Sequence, residues 1–288
     1  MEHFCATGDR SAGERGEVVV MGAAIVTGGG RGVGRTITRA LSEMGHVVHI
    51  CGRTESELAQ TARDIPRVVP QRLDLFDQEA TRRWLEDICR QESSIDVLVN
   101  NAGVMAAVGP FSQIALEEWE EVVRLNLFVT ARVTHQVLPV MITQRRGCII
   151  NLAGGGSAYP RKHFSAYACS KAAVLRFSDT LAEELREVHV RVNAVAPGLQ
   201  QSKIWRHALK AGETPPQEPW ADPEKLVRLI KYILSSPCLT GKFLHIDDDY
   251  ERMDEQIMAS ELYTLRRINP SGRSVVPTAQ LTPRSARS

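Results

Sequence analysis

A doubly wound α/β sheet in a single domain is the fold class that this sequence predicts. Short apolar runs alternate along the chain with segments of helical period, and the first run ends in a glycine-rich turn, TGGGRGVG. Nearly continuous apolar strands separated by helices are typical of a parallel sheet covered by helices on both faces. A chain of 288 residues is long enough for one such domain with additional residues at both ends.

Each expected strand is a short run rich in β-branched residues, and seven strands are expected in all. They cover residues 23–27, 46–52, 68–75, 95–103, 148–154, 190–198 and 242–246. Helical periodicity predicts helices over residues 35–45, 55–65, 81–93, 165–187 and 222–236, and over 116–144 with a break. Asp222 is a plausible N-cap for the last of these helices.

Both ends of the chain lack the core pattern. Residues 1–17 are polar and predict a flexible leader, and residues 18–265 predict the sheet domain. Residues 266–288 are rich in Ser, Pro and Arg and predict a disordered tail. Residues 198–222 carry Trp205, His207 and Trp220 without periodicity, which predicts a lid or binding loop at the carboxyl edge of the sheet.

Composition excludes several classes of function. The net charge of +1 gives no indication of a nucleic-acid or membrane-surface role. The first residues lack an apolar signal core, and no apolar run is long enough to cross a membrane. Six cysteines occur singly, as expected for small buried side chains in a reducing compartment. The expectation is a cytoplasmic protein without a metal site.

The glycine-rich turn follows an apolar strand and precedes an amphipathic helix. Glycine allows the backbone to turn sharply and allows a phosphate to approach main-chain N–H groups, while the helix N-terminus attracts the anion. The spacing Thr27-Gly28-x-x-x-Gly32-x-Gly34 resembles the TGxxxGxG fingerprint of the short-chain dehydrogenase/reductase family. Alone, such a run could be a surface loop; its strand and helix neighbours supply the context that the motif requires.

The end of the second strand bears on the choice of cofactor. An NAD-selective protein places an acidic residue there for the ribose hydroxyls, but this strand ends in Gly52 and Arg53. With Arg31 in the glycine turn, two guanidinium groups would suit a 2′-phosphate, so NADPH is predicted. Two solvated surface arginines are the alternative, and nearby Glu55 leaves room for NAD.

Further motifs extend the resemblance over residues 23–246. Asn100–Gly103 matches the family's NNAG, Asp74-Leu75 resembles the position of its adenine-contacting Asp, and Pro197–Ser202 resembles its PGxxxT segment with Ser for Thr. The resemblance implies a Rossmann-type fold and an NADP site made of Thr27, Gly28, Arg31, Gly32, Val33, Gly34, Arg53, Asp74, Leu75, Asn101, Ala102, Gly103, Tyr167, Lys171, Pro197, Gly198 and Ser202.

Tyr167 and Lys171 lie at i and i+4, on one face of the predicted helix. A neighbouring ammonium is expected to lower the phenol's pKa towards the useful range. The pair matches the family's YxxxK, which implies that Tyr167 exchanges a proton with the substrate oxygen. It also implies that Lys171 binds the nicotinamide ribose and tunes the tyrosine, and that Asn126 holds a proton-relay water.

One position departs from the family pattern. The family's catalytic serine aligns with Gly154, and such a hydroxyl donor is typically worth about a hundred- to a thousandfold in rate. Three alternatives are open: a loop that brings Ser157 into this place, a substrate group or a water that replaces the hydroxyl, or a protein that no longer reduces ordinary carbonyls. Ser157 alone is more simply a turn residue that bonds its own backbone. A second departure, the acidic run at 247–251, indicates a solvated charge cluster rather than a metal site.

The sequence therefore predicts an NADPH-dependent oxidoreductase that acts on a small carbonyl or hydroxyl compound, with Tyr167, Lys171 and Asn126 as catalytic residues. A dehydratase, cyclase or epimerase on the same fold is one alternative. A binding protein that has lost turnover is another. The substrate is not predicted, and the resemblance alone implies a homo-oligomer, a dimer or tetramer.

Overall fold

The chain alternates strands and helices in a computed structural model that describes residues 21–154, 156–200, 203–212, 220–253 and 263–264. The predicted leader, the predicted tail and Ser202 lie outside the described residues. The strands are β1 Ala23–Thr27, β2 Val48–Gly52, β3 Val68–Arg72, β4 Ile95–Asn100, β5 Gly147–Leu152, β6 Val190–Ala196 and β7 Phe243–His245. The helices are α1 Gly32–Glu43, α2 Glu55–Asp64, α3 Gln78–Gln91, α4 Leu116–Val123, α5 Val129–Gln144, α6 Ser165–Glu184, α7 Arg206–Lys210 and α8 Pro223–Ser235.

The strands form one parallel sheet in the order β3-β2-β1-β4-β5-β6-β7, so the predicted doubly wound fold and its seven strands are confirmed within the described part of the chain. Val26 of β1 pairs with Ile50 of β2 on one side and with Val99 of β4 on the other. The strand order therefore reverses at β1, and this switch point opens a crevice at the carboxyl ends of the strands.

Apolar side chains pack on both faces of the sheet. All five residues of β1 are buried, which accounts for its uninterrupted apolar sequence. On one face, Ile37 and Leu41 of α1 share a cluster with Leu226 and Ile230 of α8. The other face is covered by α3 and α5 around Leu85 and Val133. No helix among the described residues is long and apolar enough to cross a membrane.

The backbone N–H groups at the two edges of the sheet are handled differently. β3 is largely exposed and contains Pro70, at an edge where a missing N–H breaks no ladder. β7 has only three residues, and the N–H of Phe243 donates to the carbonyl of Tyr263 at 2.6 Å. The prediction that the third strand continues to Leu75 is wrong, because the regular strand ends at Arg72. Leu73 and Leu75 are buried beyond the end of the strand, and the N–H of Leu73 still donates to the carbonyl of Gly52 of β2 at 2.8 Å.

The predicted break in the helical region 116–144 is a change of helix type between two α-helical segments. Helix α4 passes into a π-helical stretch, Arg124–Phe128, and then directly into α5. A π-helical turn contains one more residue than an α-helical turn and often marks a functional position. In the loop after β6, a 3₁₀ turn at Lys203–Trp205 leads into the short helix α7, so this segment has more structure than its sequence indicated.

Candidate active site

A cavity of about 1020 Å³ lies at the carboxyl ends of the central strands. Its walls bring together most of the predicted cofactor residues, namely Gly28, Arg31, Gly32, Val33, Gly34, Arg53, Asn101, Ala102, Gly103, Tyr167, Lys171, Pro197 and Gly198. Its remaining wall is mainly apolar and includes Met105, Leu125, Leu152, Leu199, Ile204, Trp205 and Phe243. One continuous cleft thus contains both the glycine turn and the Tyr167–Lys171 pair.

The glycine turn is packed so tightly that it admits no side chains at its centre. A Cβ on Gly34 would lie 2.1 Å from the carbonyl oxygen of Gly28, whose φ of +69° also favours glycine. Thr27 is buried behind the turn, where its hydroxyl accepts hydrogen bonds from the N–H groups of Asn101 and Ala102, both at 3.0 Å. These bonds fix the turn after β1 to the loop after β4.

Arg31 and Arg53 lie together at the glycine-turn end of the cleft, and both are exposed. Arg31 immediately precedes α1, whose first turn contains no acidic residue, so its N-terminal N–H groups face no side-chain carboxylate of their own helix. The Nε of Arg31 lies 3.4 Å from a carboxylate oxygen of Glu57. Glu55, the acid that left room for NAD, does not line the cleft.

Two predicted cofactor residues, Asp74 and Leu75, are not part of the cavity wall. Asp74 is exposed, and its carboxylate accepts a hydrogen bond from the N–H of Phe76 at 3.0 Å. Leu75 is buried in the hydrophobic cluster beside α3. Both residues therefore have roles in the local backbone and in packing that their sequence context did not indicate.

Tyr167 and Lys171 project from one face of α6 into the cleft, with 7% and 4% of their surfaces exposed. The Nζ of Lys171 donates to the carbonyl of Leu152 at 2.6 Å and lies 5.9 Å from the centre of the tyrosine ring. Burial lowers the pKa of Lys171 from 10.5 to about 8, because the charged amine is removed from water.

The expectation that Lys171 lowers the pKa of Tyr167 is wrong for this structure. Burial raises the pKa of Tyr167 from 10.0 to about 12, and the charge that opposes this rise belongs to Arg161. Desolvation of the phenolate outweighs the nearby positive charge because the tyrosine is almost completely enclosed. Tyr167 is therefore fully protonated at neutral pH.

Asn126 lies in the π-helical stretch, completely buried behind the cavity wall. Its amide donates to the carbonyl of Val104 at 3.0 Å and to the hydroxyl of Ser170 at 2.9 Å, and its oxygen accepts from the N–H of Val104 at 2.8 Å. The Ser170 hydroxyl in turn donates to the carbonyl of Tyr167 at 2.8 Å. Asn126 thus connects the loop after β4 to the helix that carries the tyrosine.

Residues 22–212 match the protein-family model described as short chain dehydrogenase. The chain belongs to the short chain dehydrogenase family. A 3-oxoacyl-(acyl-carrier-protein) reductase of Thermotoga maritima is 32% identical to this short chain dehydrogenase over 235 residues, 77% of this chain and 95% of the relative. An NADP-dependent 3-hydroxy acid dehydrogenase of Shigella flexneri is 32% identical over 176 residues, 61% of this chain and 71% of the relative.

A solved structure of a point variant of the actinorhodin polyketide ketoreductase with NADPH is also similar to this short chain dehydrogenase. The TM-score is 0.71 at 27% identity, and the match covers 77% of this chain and 94% of the ketoreductase chain. The relatives are therefore oxidoreductases with the same fold, matched over most of their own length.

Gly154 lies where this short chain dehydrogenase was expected to depart from its family. A Cβ at this position would lie 2.3 Å from the hydroxyl oxygen of Tyr167, so the tyrosine occupies the space of a side chain. The Ser157 hydroxyl donates to the carbonyl of Gly154 at 2.7 Å and accepts from its N–H at 3.1 Å. The interpretation of Ser157 as a turn residue is confirmed, and Ser157 is not part of the cavity wall.

Arg161 and Tyr159 are wall residues that the sequence did not single out. The guanidinium carbon of Arg161 lies 4.1 Å from the ring centre of Phe164 and 5.1 Å from that of Trp205. Trp205 belongs to the segment predicted as a lid or binding loop, and it is buried in one cluster with Tyr167. The one available signal was a basic residue six positions before the tyrosine, in a segment without periodicity.

Proposed function

We propose that this short chain dehydrogenase is an NADPH-dependent oxidoreductase that reduces a ketone, or oxidises the corresponding alcohol, on a small organic molecule. The observation that carries the proposal is that Tyr167 and Lys171 share one cleft with the glycine turn and with Arg31 and Arg53. A proton donor and a phosphate-binding turn in one cavity fit hydride transfer from a dinucleotide to a carbonyl better than they fit dinucleotide binding alone or acid–base catalysis alone.

The residues of the cleft fit a dinucleotide. The absence of a side chain at Gly34 lets the first turn of α1 pack directly against the carbonyl of Gly28 at the end of β1, and the N-terminus of α1 would face the pyrophosphate. Arg31 and Arg53 would bind the 2′-phosphate by bidentate hydrogen bonds. The loops around Asn101 and Pro197 would line the remainder of the cofactor. NADP in the name of one relative, and NADPH in the ketoreductase structure, support this choice.

The nicotinamide, when bound, supplies the hydride for the carbonyl carbon. Tyr167 is protonated at neutral pH and donates its proton to the carbonyl oxygen as negative charge develops there. Lys171, with a pKa of about 8, carries a charge over most of its population at pH 7 and, in this proposal, binds the nicotinamide ribose, while the positive charge that favours the Tyr167 phenolate is that of Arg161. Asn126 holds the loop at Val104 in place and, in this proposal, positions a relay water.

The glycine at position 154 supports a second candidate, a non-redox reaction such as dehydration, cyclisation or epimerisation. In the oxidoreductase proposal, the second hydrogen bond to the substrate oxygen comes from a group of the substrate or from water, because Ser157 is engaged by its own turn. In the non-redox alternative, that bond is not needed. Product analysis with and without net NADPH consumption separates the two reactions.

The first measurement is a fluorescence titration of the protein with NADPH and with NADH. We expect NADPH to bind more tightly, and Arg53→Gln to lower the NADPH preference by about tenfold or more, the value of a charge-assisted hydrogen bond. Arg35→Gln is the control, because Arg35 lies on α1 and pairs with Asp64 outside the cleft. Equal binding of the two cofactors would contradict the role of the arginines.

Turnover is then tested with Tyr167→Phe in an assay of NADPH oxidation against a panel of ketones. Removal of the acid should lower kcat by about a hundredfold or more while cofactor binding stays unchanged. Tyr232→Phe is a matched control, since that ring packs against Tyr250 and lies outside the cavity wall. Unchanged activity of Tyr167→Phe would exclude the catalytic role, and failure to bind either cofactor would favour a binding protein.

A further inference from the structure

Arg161 places a positive charge at the tyrosine end of the cleft. Its side chain is half-buried, lines the cavity, and lies over the rings of Phe164 and Trp205. No carboxylate in the described part of the chain lies within ion-pair distance of Arg161, whereas Arg31 at the other end has Glu57 beside it. The guanidinium of Arg161 thus faces a cavity without an anion from the described residues to neutralise it.

The backbone around Arg161 holds the side chain in this place. The carbonyl of Arg161 accepts a hydrogen bond from the N–H of Phe164 at 3.2 Å, and Gly109 donates to the carbonyl of His163 at 2.9 Å. Gly156 has a φ of +93°, and a Cβ there would come within 3.3 Å of the Cβ of Arg161. The segment can therefore fold closely against Arg161 only because position 156 is glycine.

The aromatic contacts fix the orientation of the Arg161 guanidinium and so limit the ligands that it can bind. Rings packed against an arginine stabilise its charge and fix a flexible side chain. The N–H groups that are not directed at the rings remain available, and a planar fork of donors matches a carboxylate in bidentate geometry. Since Phe164, Trp205 and Tyr167 belong to one cluster, such a carboxylate would lie near the proposed reaction centre. The positive charge of Arg161 also lowers the pKa of the Tyr167 phenol, against the larger effect of burial.

We propose that Arg161 binds a carboxylate of the substrate itself, so that the substrates are oxo acids and the matching hydroxy acids. This inference rests on the proposed function, since it names the substrate class of the same site. A phosphate on a long carrier arm is the other anion that a guanidinium could bind. The carboxylate is favoured because Arg161 packs on Phe164 and Trp205, which belong to one cluster with Tyr167, whereas a carrier phosphate would be many bonds away from the carbonyl.

The kinetic test compares levulinate and acetoacetate with their uncharged methyl esters. In wild-type protein, kcat/KM should be about ten- to a hundredfold higher for each acid than for its ester, the range of one charge-assisted interaction. Arg161→Gln should abolish this difference, because kcat/KM falls about ten- to a hundredfold further for the acids than for their esters, and measurable ester turnover would show that the variant folds. Lys162→Gln, which removes the adjacent exposed charge outside the cavity wall, should keep the preference.

A binding measurement decides the matter even if no carbonyl is reduced. Calorimetric titration with levulinate and methyl levulinate, in the presence of NADP⁺ or NAD⁺, forms a complex that cannot turn over. Tighter binding of the acid in wild-type protein and in Lys162→Gln, but not in Arg161→Gln, is the expected result. Equal binding of acid and ester, no binding of the acid, or the same loss for both in Arg161→Gln would overturn the inference. Absent turnover with intact acid binding would count against the oxidoreductase proposal only.

Discussion

Replacing Gly154 by alanine adds one carbon atom, whose nearest neighbour would be the hydroxyl oxygen of Tyr167 at 2.3 Å. Ordinary van der Waals contacts lie near 3.5 Å, so the two atoms overlap by roughly 1 Å. The tyrosine ring is rigid and buried, and it can relieve this overlap only by a displacement of the phenol. The reacting oxygen would then move away from its place in the cleft.

The size of the effect follows from that displacement. A reacting group misplaced by about 1 Å can lose on the order of a hundredfold in rate. Overpacking of a tight site typically destabilises the fold by about 1–3 kcal/mol. We therefore expect Gly154→Ala to lower kcat about a hundredfold, with a lower Tm, while NADPH binding at the distant glycine turn changes little.

Gly154→Ser is the informative partner of this variant, because it adds the same carbon together with the hydroxyl that the family resemblance leads us to expect there. Because both substitutions place a carbon against the Tyr167 hydroxyl, we expect both variants to be impaired relative to wild type. The measurements are kcat for NADPH oxidation with a ketone, the free energy of unfolding in denaturant, and the NADPH dissociation constant. If Gly154→Ser is as active as wild type or more so, the tyrosine can adjust and the reasoning is refuted.

Three further variants test the hydrogen bonds and the buried charge that surround the active site. Ser157→Ala should lower the free energy of unfolding by about 1 kcal/mol with kcat within a few-fold of wild type; a hundredfold loss would instead make Ser157 a catalytic donor. In Lys171→Met the folded protein no longer buries an amine whose pKa falls from 10.5 to about 8. Between pH 8 and pH 10.5 the unfolded wild-type chain binds more protons than the folded chain, so the free energy of unfolding of the wild type rises with pH over this range. Denaturant unfolding should therefore show Lys171→Met to be more stable than wild type by up to roughly 3 kcal/mol at pH 7. This difference should disappear above pH 10.5. Asn126→Leu should lower Tm, because the N–H and C=O of Val104 lose their partner at about 1–3 kcal/mol each; an unchanged Tm would contradict this.

The fold was predictable because its signal is local. The run AAIVT is buried on both faces of the sheet and therefore reads as an unbroken apolar strand. Tyr167 and Lys171 were predictable as a pair because four residues bring two side chains to one helix face. In contrast, Leu73 and Leu75 alternate like strand residues but are buried in irregular backbone, so alternation alone extended β3 too far.

The features that escaped prediction depend on three-dimensional enclosure. The π-helical stretch at Asn126 arises from a shift of backbone hydrogen bonds that has no residue signature. The raised pKa of Tyr167 depends on how completely the phenol is buried, and the spacing to Lys171 carries no information on burial. Arg161 lies in an aperiodic segment, so only its position beside Phe164 and Trp205 identifies it.

The two rims of the sheet bear on how copies of this protein could assemble. At the β3 edge, Pro70 has no N–H to offer a further strand. At the β7 edge, the N–H of Phe243 already donates to the carbonyl of Tyr263. A strand from another molecule would meet a missing donor at one rim and an occupied one at the other. Two copies could not join their sheets edge to edge without loss of these features, so any self-association of this protein is expected through the helical faces.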